Sequence, residues 1–157
     1  MTNTAPIGRD QFFYLNLGTY VSPTWTLVKR CGDVEIGLEK ASSEVDTREA
    51  PNTKTVVGNR KVSLSFDYFL RQGSTVDLIF AEFEDSYYED SMIDVALMSG
   101  PIATVGIKGI RGPFVVTNFT RGEPINENVR HSIELQECFS YESDVITNAG
   151  KYVVPTP

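Results

Sequence analysis

A repeated alternation of apolar and polar side chains is the sequence feature that most constrains the fold. In the segment KVSLSFDYF, residues 61–69, the side chains of Val62, Leu64, Phe66 and Tyr68 alternate with polar ones. Because successive side chains of a β-strand point to opposite faces, this pattern predicts a strand with one buried face. Strand patterning recurs in TWTLVKR, DVEIGLE, MIDVALM, IATVGIK, PFVVTNFT and NVRHSIELQECF.

One segment has the period of a helix instead. From residue 74 the sequence reads STVDLIFAEFED, in which apolar side chains recur at i, i+3, i+4 and i+7. This spacing places them on one face, which predicts an amphipathic helix over Thr75–Glu84. Ser74 has the side chain of a good N-cap. The apolar face consists of Val76, Ile79, Phe80 and Phe83.

These elements predict an α+β fold that is mainly β. The expected architecture is a β-barrel or β-sandwich of about seven strands with one flanking α-helix and a long inter-strand loop. A chain of 157 residues is long enough for one core and short for two, so residues 1–157 are predicted to form a single domain. The weakly periodic ends predict an N-terminal arm over residues 1–10 and a C-terminal tail over residues 141–157. Residues 11–17, QFFYLNL, fit either a strand or an arm.

The long loop is the segment SSEVDTREAPNTKTVVGNRK, residues 42–61, between two predicted strands. It offers little apolar surface to offset the entropy of ordering it alone. Loops of this length in compact domains are uncommon and are usually functional or disordered. We therefore predict that residues 42–61 contact other copies of the same protein.

The charge balance argues against one class of function. The chain has 21 acidic and 14 basic residues, which gives a net charge of -7. A protein that grips nucleic acid needs Lys and Arg to neutralise phosphates, so tight nucleic-acid binding is not expected. An acidic chain stays soluble and does not adhere to a polyanion.

The sequence also indicates where the protein is made. Its first ten residues lack the apolar core of a signal peptide. No apolar run approaches the roughly 18 residues of a membrane span, so a membrane anchor is not expected. Cys31 and Cys138 lie far apart in the chain, and we expect both to be reduced thiols. We therefore expect synthesis in a cytosol.

No catalytic, cofactor-binding or metal-binding residues are predicted. Any Ser-His-Asp or Cys-His arrangement would have to use the single histidine, His131, whose inward position in a predicted strand favours a core or interface role. The sequence has no CxxC, HxxxH or EF-hand spacing, and the glycines of residues 106–112, GIKGIRG, do not form a dinucleotide fingerprint. The acidic run Glu82–Asp90 is expected to be a solvated helix end. We therefore expect neither enzyme activity nor a cofactor.

The order of these segments resembles that of a known family. A WTLV strand precedes an acidic DVEIGL strand, SSEVDTRE and a long polar segment, and a KVSLSFDYF strand, a single helix and a GIRGPFVVTNF strand follow. In this order and pattern, roughly residues 25–139 resemble the major tail tube proteins of long-tailed bacteriophages, including the related tail tube proteins of gene transfer agents. The resemblance is carried by element order and no diagnostic motif.

The resemblance implies a structural virion protein. In that family, subunits join their sheets into hexameric rings around a lumen, and the rings stack through the long loop and the terminal arms into a tail tube for DNA ejection. For this chain it implies a place in the virion tail after assembly in the host bacterial cytoplasm. The implied partners are other copies of the chain and the tail terminator, tape measure and tail tip proteins, with DNA passing without tight binding.

Other functions remain as alternatives. A tail terminator or head–tail connector forms a single ring and does not polymerise, and the tube protein of a contractile injection system shares the fold. From another class, a small ligand-binding β-barrel would need an apolar cavity, which strands that alternate so regularly leave little room to line. A hydrolase that uses His131 is the remaining alternative.

Overall fold

Eight β-strands and one α-helix form the described part of the chain, residues 12–49, 51–70, 77–125, 129–138 and 150–157 of a computed structural model. The helix, α1, spans Leu78–Glu89. The predicted class, α+β and mainly β with one helix, is confirmed. The strands are β1 (Phe12–Asn16), β2 (Trp25–Leu27), β3 (Cys31–Val45), β4 (Lys54–Phe69), β5 (Ile93–Met98), β6 (Lys108–Gly122), β7 (Arg130–Glu137) and β8 (Gly150–Val153).

These strands belong to one antiparallel sheet. Its order is β2-β1-β5-β6-β7-β4-β3, and β8 pairs with β6. β7 and β8 lie end to end along one edge of β6, because Phe114 pairs with both β5 and β7 while Arg111 pairs with both β5 and β8. The end strands β2 and β3 do not pair with each other in the described residues. The sheet is therefore not closed into the barrel that was one of the predicted architectures.

The sheet curls until its two ends meet around one core. The ring centroids of Phe13 in β1 and Phe66 in β4 lie 5.1 Å apart, although three strands separate β1 from β4 in the sheet. The segment between β2 and β3 bridges the same gap, since the Val28 amide donates to the Phe13 carbonyl and the Phe69 amide donates to the Arg30 carbonyl. The buried core around this contact also contains Leu15, Leu64, Val95, Phe114, Ile133 and Leu135.

β6 runs without interruption through a segment rich in glycine. The IATVGIK segment is not a strand, because residues 101–107 form turns, and Gly109, Gly112 and Pro113 lie inside β6. A glycine is required at position 109, since an added Cβ would collide with the Leu97 carbonyl oxygen of β5. This glycine therefore marks close strand approach and not a bend between strands.

Pro113 lies in the middle of the sheet, at the point of β6 that faces the junction between β7 and β8. It pairs with Asp94 of β5, and its carbonyl accepts a hydrogen bond from the Cys138 amide, just beyond β7. Because the N–H and C=O groups of one strand residue point to the same side, the missing N–H of Pro113 faces the junction of β7 and β8. No ladder hydrogen bond is lost there.

α1 begins and ends later than the predicted helix. It spans Leu78–Glu89 instead of Thr75–Glu84, and its N-cap is Asp77. The predicted N-cap Ser74 and the predicted apolar residue Val76 lie outside the described residues.

Asp77 fixes the start of α1 to β4. Its Oδ1 accepts a hydrogen bond from the Phe80 amide at 3.2 Å, and its Oδ2 accepts one from the Tyr68 hydroxyl at 2.5 Å. Burial and the hydrogen bond to this carboxylate raise the pKa of Tyr68. A cap that is held by the sheet determines where the helix starts, which helix propensity alone does not.

The last turns of α1 extend beyond Glu84, the predicted end of the helix. The buried Ser86 hydroxyl donates to the Ser91 carbonyl and accepts a hydrogen bond from the Val116 amide of β6. The Tyr87 ring stacks on Phe119 of β6 with centroids 5.9 Å apart. These contacts, which only the folded sheet supplies, continue the helix by more than one turn beyond its predicted end.

The segment 42–61, predicted as a loop, is mostly strand. Residues 42–45 complete β3 and residues 54–61 begin β4, so the two strands form one long hairpin. Both faces of this hairpin are exposed. Period-two patterning appears only where one face of a strand is buried, so the sequence carries no strand signal here.

The predicted terminal segments are described only in part. Residues 150–153 of the predicted tail 141–157 form β8, which pairs with β6. The predicted arm, residues 1–10, and residues 141–149 lie outside the described residues. The assignment of residues 1–157 to a single domain stays a prediction.

We expect Phe83→Ala to destabilise the subunit by about 3–5 kcal/mol, because Phe83 is 0% exposed and its ring packs 5.3 Å from that of Phe66. The measurement is the free energy of unfolding in chemical denaturant. Tyr88, 72% exposed on the same helix, supplies the control, and Tyr88→Ala should change that free energy by less than about 0.5 kcal/mol. Equal losses in the two variants would show that Phe83 does not pack α1 against the sheet.

Candidate functional site

His131 is a core residue. It lies in β7, is 2% exposed, and its ring centroid is 4.8 Å from that of Phe80 and 5.1 Å from that of Phe119. Its Nδ1 has no hydrogen-bond partner in the part of the chain that the structure describes. Burial, with a smaller contribution from Arg121, lowers the pKa of His131. The structure thus places His131 inward, as the alternation predicts, but leaves one ring nitrogen unpaired.

The other candidates from the sequence do not come together in a site. Cys31 and Cys138 are both free cysteines, and burial raises the pKa of each thiol. Most acidic side chains of Glu82–Asp90 line the solvent side and the end of α1. Within the described ranges, no three His, Cys, Asp or Glu side chains are grouped to hold a metal ion. The one described helix is not a candidate for spanning a membrane.

The β3–β4 hairpin projects from the body of the subunit. Every described residue from 38 to 61 is exposed, and eight residues per strand at about 3.3 Å each give a projection of about 25 Å. The register of the pair shifts by one residue between Lys40 and Ser42. A bulge of this kind bends and twists the pair, here close to the point at which the hairpin leaves the body.

The hairpin carries apolar surface as well as polar side chains. Val45, Val56 and Val57 are 40%, 52% and 57% exposed. Val56 opposes Ser43 and Val57 opposes Ser42, so Val56 and Val57 lie on opposite faces of the hairpin. Single exposed valines are common on protein surfaces, but both faces of one projecting element carry them here. The hairpin is therefore suited to contacts on both faces.

β3 leaves one long edge of the sheet open. It is the last strand in the order, and along its 15 residues it pairs only with β4 among the strands described. An unpaired edge presents a row of free N–H and C=O groups, which is a template for another strand. Of the devices that protect such edges, β3 has charged side chains and a bulge at Lys40, but it contains no proline and is long. This edge can pair with a strand of another chain.

A buried ion pair fastens β8 and the β1–β2 loop to the sheet. Arg111 Nη2 lies 2.6 Å from Asp94 Oδ2, and the side chains are 5% and 10% exposed. The guanidinium also lies over the rings of Tyr20 and Tyr152, 4.0 and 5.2 Å from their centroids. Asn16 donates a further hydrogen bond to Asp94 at 2.9 Å. The sequence does not single out Arg111, because an arginine in a glycine-rich strand carries no pattern that indicates burial.

A groove of about 940 Å³ opens between β4 and β8. The pairing of β4 with β7 stops at Ser63, so Lys54–Val62 has no strand on this side within the described residues. β8 likewise pairs only with β6 in the described part of the chain. This opening, the β4–β8 groove, is bounded by two unpaired strand edges. Its lining includes the apolar residues Leu38, Val62, Ile110, Tyr152 and Val153 and the basic residues Lys40, Arg60, Lys61, Lys108 and Lys151.

We expect the stability of the subunit to fall as the pH drops below about 6.5. In the unfolded chain His131 has its ordinary pKa of 6.5. Burial lowers this pKa in the folded state, so the unfolded chain binds more protons between the two pKa values and is favoured there. His131→Phe removes this contribution and keeps an aromatic ring beside Phe80 and Phe119.

The free energy of unfolding of both proteins at pH 7 and pH 5.5 checks this expectation. The parent should lose more stability than His131→Phe, by at most about 1.4 kcal/mol per pH unit. The carboxylates are common to both proteins, so their titration cancels in the comparison. Equal losses would mean that His131 titrates in the folded state as it does in the unfolded one.

Comparison with known proteins gives a match in structure and none in sequence. No protein-family model matches the chain, and no curated protein matches it. The tail of an empty gene transfer agent particle, solved by helical refinement with C6 symmetry, contains a chain with a TM-score of 0.65 and 15% identity. The match covers 87% of this chain and 96% of that chain.

Two further solved structures have a similar fold. A chain of the SPP1 tail tube matches with a TM-score of 0.65 and 14% identity, over 94% of this chain and 78% of that chain. A chain of the anti-feeding prophage baseplate matches with a TM-score of 0.60 and 12% identity, over 99% and 100%. At these identities the likeness establishes the fold. The predicted resemblance to tail tube proteins is thus confirmed at the level of the fold.

Proposed function

We propose that this protein is the subunit of a tail tube, a structural virion protein whose copies form hexameric rings that stack end to end. The observation that carries the proposal is the fold shared with the SPP1 tail tube over 94% of the chain. The open edge of β3 supports it, because an unpaired edge gains hydrogen bonds to another strand only by association. In this proposal the protein acts by assembly, has no catalytic role and uses no cofactor.

Ring formation would use the open edge of β3. The neighbouring subunit would present a different surface, and a head-to-tail contact of this kind closes into a ring when its rotation divides a full turn. The C6 symmetry of the gene transfer agent tail supports six subunits per ring. Each backbone hydrogen bond gained at the joint contributes about 0.5–1.5 kcal/mol net, so pairing along β3 contributes several kcal/mol per contact.

Ring stacking would use the β3–β4 hairpin. It extends about 25 Å beyond the body and exposes apolar side chains on both faces. A single subunit gains nothing from holding these valines in water, whereas burial against the next ring removes their apolar surface from solvent. The partners of the finished tube would be the tail terminator, the tape measure and the tail tip proteins, after assembly in the bacterial cytoplasm.

The tube would serve as the conduit for DNA during ejection. A polyanion slides through a channel only if the wall does not bind phosphates, and each exposed Lys or Arg contact would slow it. The net charge of -7 fits such a wall. The proposed interaction with DNA is therefore passage without tight binding.

The tube protein of a contractile injection system is the second candidate. The observation that favours it is the match to the anti-feeding prophage baseplate, which covers 99% of this chain and all of that chain. A tail terminator or connector is the alternative that forms a single ring, and a small ligand-binding barrel is the alternative from another class. Polymerisation into open-ended tubes would exclude both of these.

We expect the purified protein at high concentration to form hollow tubes, seen by electron microscopy with six-fold end views. Shortening the hairpin should abolish stacking and leave the subunit folded. The variant joins Lys40 to Arg60, which oppose each other in the hairpin, through Asn-Gly in place of residues 41–59. A two-residue Asn-Gly turn connects directly opposed strand residues without strain.

A length-preserving variant supplies the control for this experiment. Replacing Thr47, Arg48 and Glu49 by Gly-Ser-Gly changes the turn and keeps the length of the hairpin and its valines, so this variant should still assemble. Circular dichroism and thermal unfolding establish that both variants are folded. Tubes of normal length from the shortened variant would contradict the stacking role of the hairpin.

A further inference from the structure

The β4–β8 groove concentrates positive charge on an acidic protein. Five of the lining residues are Lys or Arg, and Glu39 is the one acidic residue among them, although the chain as a whole carries a net charge of -7. None of the five basic side chains forms an ion pair with a residue that the structure describes. Glu39 opposes Lys61 across the hairpin and offsets one of these charges, which leaves an excess of four positive charges in the groove.

α1 carries negative charges that also lack ion-pair partners among the described residues. Glu82, Asp85 and Glu89 are exposed, and their spacing of three and four residues places them on one face of the helix. The last turn has no basic residue, so Asp85 and Glu89 stand near the negative end of the helix dipole, where carboxylates are unfavourable. No described residue forms an ion pair with these three carboxylates.

Apolar groups accompany the charges on both surfaces. Tyr88, next to Glu89 near the end of α1, is 72% exposed. In the groove, Leu38 and Val153 are 64% and 49% exposed. An acidic surface with an exposed tyrosine beside it thus matches, in charge and in polarity, a basic groove with an apolar lining.

One copy cannot bring its own α1 into its own groove. α1 is fastened to β6 at Val116 and Phe119, whereas the groove meets β6 at Lys108–Ile110. Six strand residues, about 20 Å, separate Ile110 from Val116, and the buried Phe83 holds the helix in place. The two complementary surfaces can therefore meet only between copies, in a head-to-tail contact of the kind that forms rings and stacks.

We propose that the β4–β8 groove receives the acidic face of α1, with Glu82, Asp85 and Glu89, from a second copy of the chain. The proposal rests on the proposed assembly into a tube and adds a contact to it. Lys108 and Lys151 line one side of the groove, and Lys40, Arg60 and Lys61 come from the other side, where Arg60 and Lys61 point to opposite faces of the hairpin. The incoming carboxylates lie between Lys108 and Lys151 and the hairpin side chains that face the groove, and neutralise them.

Charge exchange between the two surfaces tests the proposal. The helix variant Asp85→Lys/Glu89→Lys and the groove variant Lys108→Glu/Lys151→Glu should each raise the protein concentration needed for assembly at least about tenfold, because each creates like-charge contacts. When the two changes are combined in one chain, the protein concentration needed for assembly should return to within about threefold of the parent's. Glu89→Lys places a cation in the last turn of α1, where it is favourable for the helix dipole. Residues 85 and 89 are both exposed, so the helix variant is expected to fold.

A second combination controls for net charge. Adding Lys29→Glu/Arg130→Glu to the helix variant also restores the net charge of -7. Both side chains are exposed, and neither lines the groove, so this combination should not restore assembly. Restoration by both combinations, or assembly of the helix and groove variants at the parent concentration, would overturn the proposal.

Cross-linking separates this contact from the wider function. A carbodiimide joins carboxylates to lysine amines that touch, and a mixture of ¹⁴N- and ¹⁵N-labelled parent protein identifies links between chains by mass spectrometry. We expect links between chains from residues 82–89 to Lys108 or Lys151. If the groove lysines link only to other carboxylates, or to none, the contact is overturned, even when tubes form. If no tubes form, the proposed function fails. The contact is then tested in soluble oligomers, where the same links between chains support it and their absence overturns it.

Discussion

The contact between Phe13 and Phe66 is the constraint on which the rest of the structure depends. It joins β1 to β4 across three intervening strands, and a sheet can bring such strands together only by curling. The curl encloses a core that a flat sheet would leave open to water. Because the sheet does not close, it also keeps the free edge of β3, which a closed barrel would not have. The fold thus combines an enclosed core with an edge that is open for pairing.

β3 and β4 contribute both to the core and to the surfaces that we propose for assembly. Along β4, eight exposed residues precede the alternation of buried and half-buried side chains that starts at Val62. The second half packs around Phe66 and supports the subunit alone, whereas the first half belongs to the hairpin and gains burial only from a partner. The pair of Arg111 and Asp94, buried beneath Tyr152, holds β8 in place opposite this hairpin. The groove between them follows from that arrangement.

The sequence predicts those elements that bury one face and misses those that do not. Alternation identifies the second half of β4, as well as β7 and the inward position of His131, because the core imposes the period. The first half of β4 has no buried face and therefore no period, so residues 42–61 have the sequence of a loop. The start of α1 depends on the hydrogen bond between Asp77 and Tyr68, a contact between elements that local propensity does not contain. The groove is missed for the same reason, since its lysines come from separate strands.

Hydrogen exchange of the β3 backbone amides, in single subunits and in the assembled protein, tests the central claim most directly. The account predicts that the β3 amides that point away from β4 exchange freely in the subunit and are protected at least about tenfold after assembly. The amides of β6 between Gly109 and Phe114, where this strand has β5 on one side and β7 or β8 on the other, should keep their protection in both states. Unchanged exchange along β3 in an assembled tube would contradict the claim that subunits join through this edge.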